Sequence, residues 1–450
     1  MIDSQSISIP TISSANALPI LKVLTAQRSL LAGMAAMHNQ LGDIFEISFP
    51  GFAAIVLTGS TFAREVLVTS RQQFEWRNDR DPVTGLLRHG VLVEDGHFHD
   101  TLRGYMEPTL RRSKVGEYLP AMLGWTDEVI SKWGNGSVQD MLVEMRRLAL
   151  LILMDTLFAV DMSADLPRLW GPILRILSYI SPGLWLMKPE LPRFGYQKSI
   201  NEMDEYLFSL IRERRLNDPR AGDLLSELVC RQDMTDDLIR DQLLTMLIAG
   251  HDTSTALLSW ALYLLAAHPD DMTLVQQEVD QILGEKLPSL EEINQLHYLD
   301  QVVKEALRLY PPIHVGNRLA RADLALQGCP VPRGRRIMVS YYLTHRDQKV
   351  WQEADRFQPQ RFDRSSPHEQ PPFSYLPFGG GPRNCIGAAF AQVEAKAILA
   401  RILQTFDLEL AAPQVKIRMG ATLEPQPGVL IKVRRRNGSH VVNEQVGVSA

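Results

Sequence analysis

The segment Phe378-Gly379-Gly380-Gly381-Pro382-Arg383-Asn384-Cys385-Ile386-Gly387 combines three things that a buried thiolate ligand needs. Glycines let backbone N–H groups approach the sulfur, the N-terminus of a following helix favours negative charge, and Arg383 supplies a cation for an anionic group nearby. On haem iron such a thiolate pushes electron density onto the metal and favours O–O cleavage. Without that spacing, a cysteine after a Gly-rich turn reads as a small, inert core residue. Cys230 and Cys329 are scattered and form no CxxC pair, so neither a disulfide framework nor a zinc site competes.

A second string, Ala249-Gly250-His251-Asp252-Thr253-Ser254, falls inside a long apolar helical stretch. Gly250 costs that helix about 1 kcal/mol relative to alanine, and something must offset the loss. A missing side chain would open room beside the helix for a diatomic ligand, Thr253 can donate a hydrogen bond, and Asp252 can pass protons inward. Taken alone, an acid followed by a threonine is a solvated pair. Glu305 and Arg308 share one helix face, where an exposed ion pair would contribute under ~1 kcal/mol.

Together these strings resemble the cytochrome P450 family. The first matches residue by residue the cysteine-ligand loop written FxxGxRxCxG, and the resemblance implies haem b with Cys385 as its axial ligand. Phe378, Gly379, Arg383 and Gly387 would join Cys385 in holding the cofactor. The second resembles the family's oxygen-binding groove, which implies Ala249 and Gly250 against the haem, dioxygen as co-substrate, and Asp252 and Thr253 as the catalytic pair. Thr253 would steer proton delivery toward O–O cleavage and away from hydrogen peroxide release; His251 occupies a variable position and is given no role. Lys304-Glu305-Ala306-Leu307-Arg308 resembles the ExxR helix, with Arg361 in Phe357-Gln358-Pro359-Gln360-Arg361-Phe362 as its downstream partner. Gln360 departs from the family's usual Glu, which weakens only the local charge network. Two haem propionates need donors. His99, Arg103, Arg318 and Arg383 fit the pattern, each with a plain surface charge as the alternative.

These residues need elements to position them. The sequence predicts a mainly α fold with a minor β part: strands near Ile44 to Leu57, a helical middle, and short strands and loops rich in Pro and Gly near the end. The clearest helix runs from Asp236 to Ala267, capped by Thr235 and closed before Pro269, apolar nearly all round and so central. Another runs from Asp300 to about Leu309, and a last one from near Cys385 toward Phe406. The resemblance places the haem between the central helix and the cysteine loop. One domain is expected over 1–450, with an N-terminal segment to about residue 40 and a loose tail from Asn437.

A chain of 450 residues with 45% hydrophobic residues can enclose a cofactor, and a formal net charge of -5 gives no support to a nucleic-acid partner. Few cysteines point to a reducing cytoplasm. Lys22 and Arg28 interrupt the early apolar patches well short of the ~18 residues of a spanning helix. Ile173 to Met187 is apolar but broken by Pro182-Gly183, and reads as a loop over a pocket, with a peripheral membrane contact as the alternative. The resemblance implies a monomeric monooxygenase that hydroxylates or epoxidises, taking electrons from a separate ferredoxin or flavodoxin and its reductase. Arg111, Arg112 and Lys114 are either a docking patch for that partner or a solvated helix face. Lining segments Leu86–Val93, Ile180–Leu191, Leu244–Ile248, Ile313–Val315 and Thr422–Leu423 favour a lipophilic substrate such as a fatty acid or terpenoid. Arg88 and His89 read as a surface loop pair, or as a carboxylate contact. A peroxide-using or isomerising haem-thiolate enzyme and a non-catalytic haem sensor are the alternatives, and Asp252 and Thr253 argue against the first.

Overall fold

A computed structural model describes residues 8–436 apart from 13, 28, 184–192, 218–221, 364 and 366–369. Near its start, β1 (Ile44–Phe49) and β2 (Phe52–Leu57) form a hairpin in which Phe49 faces Phe52 across Pro50 and Gly51, the glycine at φ 85°. β2 then pairs in parallel with a strand from the far end of the chain. The sheet order is β1-β2-β5-β4-β3, with β3 at Phe74–Glu75, β4 at Val315–Ala320 and β5 at Arg336–Ser340.

Helices dominate the rest, as expected. Those that position the site are α1 (Pro82–Leu87), α2 (Gly96–Leu110), α3 (Met141–Phe158), α4 (Gln197–Leu216), α5 (Asp236–Ala267), α6 (His297–Leu309) and α7 (Ala388–Thr405). The 32 residues of α5 reach about 48 Å at 1.5 Å per residue, enough to cross the whole protein. Thr235 caps it by accepting the Leu238 N–H at 3.2 Å, as its sequence predicts. Residues 241 to 248 are all buried, so α5 is held by packing on every side.

Two expectations change. The helix expected from Asp300 begins three residues earlier, because Glu278 accepts the N–H groups of Tyr298 at 2.7 Å and Leu299 at 3.0 Å. A cap from a preceding helix leaves no local trace in the sequence. Ile173 to Ile180 is not a loop: it ends the helix Leu166–Ile180, which turns Ile173, Ile176 and Leu177 into the core. Leu184 to Met187, the tail from Asn437 and the Leu184–Leu191 part of the lining segment lie outside the described residues. No described helix is long and apolar enough to cross a membrane. A pair of strands, β6 (Lys416–Met419) and β7 (Leu423–Gln426), forms a hairpin whose tip reaches α5.

Candidate functional site

Two glycines shape the cysteine loop. Gly379 and Gly381 hold φ at 68° and 70°, and a side chain on Gly381 would meet the Leu67 carbonyl oxygen at 2.3 Å. The turn so formed lets Cys385 N–H reach Phe378 O at 2.9 Å, and α7 starts three residues beyond the cysteine. Cys385 carries accessible surface, yet it lies deep enough that burial pushes its thiol up; the Gly387 N–H and the Arg103 charge pull it back down. A side chain both accessible and deep faces an internal space.

Between Ile239 and Leu262 of α5, the residues that break the run of burial are Ala249, Gly250 and Thr253, which share one helix face. Ser254 donates to Glu394 of α7 at 2.5 Å, tying this stretch of α5 to the helix that follows Cys385. Thr253 donates its hydroxyl to the Ala249 carbonyl at 2.7 Å.

The four propionate donors differ in what occupies them. Arg318 is buried on the inner face of β4, and its one described hydrogen bond runs to Asn317 O at 2.6 Å. Among the described residues no carboxylate lies within ion-pair distance of it. Arg383 holds Asp95 at 2.9 Å and Glu94 O at 2.7 Å, and Arg103 holds Asn384 O at 2.8 Å. His99 is buried against Asp100 at 2.9 Å, and burial together with the Arg383 charge lowers its pKa. Tyr341, which sequence reasoning missed, rests its hydroxyl over Gly316: a side chain there would meet it at 2.4 Å, and one on Gly379 at 3.6 Å. Gly316 and Arg318 face the same side of β4. A buried guanidinium without a carboxylate, beside a phenol and near an internal thiol, suits a planar anionic cofactor whose metal takes sulfur. The donor set fits haem.

The comparisons with known proteins decide the matter, since the chain matches Cytochrome P450 over residues 15–433. The chain belongs to the cytochrome P450 family. It is 28% identical over 421 residues to putative cytochrome P450 139 of Mycobacterium tuberculosis, covering 89% of this chain and 97% of that one. Mouse cytochrome P450 3A13 is 27% identical over 434 residues, 89% and 86% of the two chains. The bifunctional cytochrome P450/NADPH–P450 reductase 2 of Bacillus subtilis is 30% identical over 454 residues, 92% of this chain and 41% of that protein. This P450 is therefore a haem-thiolate monooxygenase.

Within the P450, Gly250 does not open room for a ligand in the expected way. A side chain on it would meet Leu153 Cδ1 at 2.3 Å, so the missing atoms let α3 and α5 pass closely. Asp252 also departs from expectation. Its carboxylate faces away from the Thr253 side: Oδ1 lies 3.2 Å from Arg146, Oδ2 accepts the Thr422 hydroxyl at 2.9 Å, and Glu424 shares Arg146.

The structural clamp assembles as the P450 resemblance implies, with Glu305 and Arg308 fully buried and Arg361 partly so. Arg308 meets Glu305 at 2.7 and 2.8 Å and also donates to the carbonyls of His345 and Ala354; Arg361 stands 3.3 Å from Glu305. Gln360 has a reason to be an amide. It donates to the Tyr298 hydroxyl at 2.7 Å, while that hydroxyl donates its single proton to Asp271 at 2.5 Å. A carboxylate at 360 could only accept.

His89 is exposed, as a surface loop residue would be, whereas Arg88 is half-buried and not free for a substrate carboxylate. Arg88 binds Asp204 of α4 at 2.6 Å and stands 3.5 Å from Asp241 of α5, where Arg240 also pairs; His89 bonds Glu94 at 2.7 Å. The Arg88 charge already has counterparts on α4 and α5, which distance in sequence conceals.

Proposed function

We propose that this P450 inserts one atom of dioxygen into an unactivated C–H or C=C bond of a lipophilic molecule, with fatty acids and terpenoids favoured. The observation that carries the reading is Cys385: an accessible thiol deep inside the protein, in a chain whose α5 leaves Ala249 and Thr253 only half-buried. Haem bound by Cys385, Arg318, Arg383, Arg103 and His99 would supply the oxygen chemistry, with Phe378, Gly379 and Gly387 against it. Thr253 then orients a proton donor, and Asp252 supplies protons from its network.

The apolar segments that meet support this substrate class. Val91 donates to Gln242 at 2.7 Å, bringing the Leu86–Val93 loop to α5 just before Leu244, and Leu423 donates to Pro312 O at 3.0 Å, bringing Thr422–Leu423 beside Ile313. Leu86, Leu87, Leu244 and Leu423 are apolar, and Ile313 stays exposed between buried neighbours. Thr422 spends its hydroxyl on Asp252.

Electrons come, in this reading, from a separate ferredoxin or flavodoxin with its reductase. Arg103 joins α2 to the carbonyl beside Cys385, and Arg111 and Arg112 follow the end of that helix as exposed cations. Lys114 is paired with Glu117 at 2.6 Å and offers less. A single-domain monomer in the reducing cytoplasm accords with a chain that holds only three cysteines.

Reducing the protein under carbon monoxide tests the ligand: a Soret band at the histidine-ligated position overturns the reading. A spin-state titration against fatty acids, terpenes, steroids and macrolides then tests the substrate class. Response only to polar or macrolide ligands overturns that part.

A further inference from the structure

Behind Asp252, two carboxyl groups share one buried cation. Arg146 of α3 reaches Asp252 Oδ1 at 3.2 Å and hydrogen-bonds Glu424 of β7 more closely still. Asp252 is 2% exposed and Glu424 8%. The other charges and titratable groups facing the pair come from each neighbouring element. Arg418 of β6 stands 3.8 Å from Glu424 Oε2 but is 54% exposed, so solvent screens it. His251, on α5 itself, is held neutral by burial at a pKa of about 4. Thr422, at the hairpin tip, donates to Asp252 and carries no charge.

One guanidinium cannot neutralise two carboxylates, and two this close in apolar surroundings do not both ionise. We propose that Asp252 and Glu424 hold one proton between them near neutral pH, and that Glu424 is the outer positioning member of a proton path that reloads Asp252 from solvent. The idea rests on the reading of Asp252 and Thr253 as the acid–alcohol pair. Burial raises the pKa of both acids, which is what a shared proton requires.

The path conserves protons and moves no electrons. Asp252 rotates off Arg146 and passes the one shared proton to a water beside Thr253, which leaves both carboxylates ionised. Glu424 then takes up a proton from solvent at its Oε2 edge, which faces exposed Arg418, and passes it to the Asp252 carboxylate, so that the pair again holds one proton.

Infrared difference spectra of the haem-loaded protein test the shared proton. Wild type minus Glu424→Gln and wild type minus Asp252→Asn should each lose one carboxylic-acid carbonyl band that shifts in heavy water, because the surviving carboxylate is neutralised by Arg146 and ionises. Glu394, a second buried acid, contributes its own band, identified with Glu394→Gln. No lost band beyond that of Glu394 overturns the proposal.

For the path, Glu424→Gln should divert reducing equivalents to hydrogen peroxide and slow product formation, toward the roughly 100-fold that a general acid contributes. Glu424→Asp should restore coupling. A Glu424→Gln protein with a thiolate carbon-monoxide spectrum and wild-type coupling and pH profile would overturn the path even if the band is shared. Failure of the parent reading looks different: Thr253→Ala would then stay coupled.

Discussion

Ser254 donates to Glu394 at 2.5 Å, a single buried hydrogen bond that joins the central helix α5 to the helix that follows Cys385. Burial raises Glu394 from its usual 4.5 to about 8, so between those values the folded protein holds a proton that the unfolded chain has lost. Stability therefore falls as pH rises through that window. Glu394→Gln keeps a partner for Ser254 and has no charge to desolvate. The wild-type Tm should drop more steeply than that of the variant between pH 4.5 and 8. Parallel Tm curves would mean that Glu394 is ionised throughout.

Gly250 offers a test of packing against ligand space. A methyl group there would sit 2.3 Å from Leu153 Cδ1, and Leu153 is itself buried, so its side chain must shift within the core. Overpacking of this kind costs about 1–3 kcal/mol, against about 1 kcal/mol gained when alanine replaces glycine in a helix. Gly250→Ala should lower stability by about 1 kcal/mol in denaturant unfolding. Adding Leu153→Ala should recover part of that loss, so the double variant is more stable than the sum of the singles. Strict additivity would show that Leu153 is not what the glycine accommodates.

Thr253 keeps its hydroxyl on the Ala249 carbonyl, and the residue lies on the uncovered face of α5. Thr253→Ala removes the donor without adding bulk. Product formed per reducing equivalent should fall and hydrogen peroxide rise, with substrate-induced spectral shifts unchanged. Full, well-coupled oxygenase activity in this variant would turn the argument toward a peroxide-using or isomerising enzyme.

What the sequence showed depended on how far apart the partners lie. The ends of α5 were legible because Thr235 and Pro269 are local signals, and the cysteine loop because its glycines and Arg383 stand at fixed spacing around Cys385. Asp252 was recognisable as an acid beside Thr253, but nothing local shows that Arg146 and Glu424 turn it away. Arg88 looked like a loop charge for the same reason, its acids being on α4 and α5. Tyr341 left no signal at all: its hydroxyl matters only because Gly316 and Gly379 make room for it.

Arg318 and Tyr341 give the sharpest test of cofactor binding, because neither is paired with an acid among the described residues. Burial lowers the Arg318 pKa, and the phenol of Tyr341 is among the groups that offset this. An anion arriving between them would gain a charge-assisted hydrogen bond from the guanidinium, worth about 1.5–3 kcal/mol, and a weaker one from the phenol. Haem transfer to excess apomyoglobin reads this directly, independent of turnover. Arg318→Gln should release haem roughly tenfold to a hundredfold faster than wild type. Tyr341→Phe should accelerate release less. Arg383→Gln should act partly by freeing Asp95, its present partner at 2.9 Å, so its effect should depend on Asp95 being present. Release rates unchanged by Arg318→Gln would mean that the buried guanidinium serves the fold and the propionates lie elsewhere.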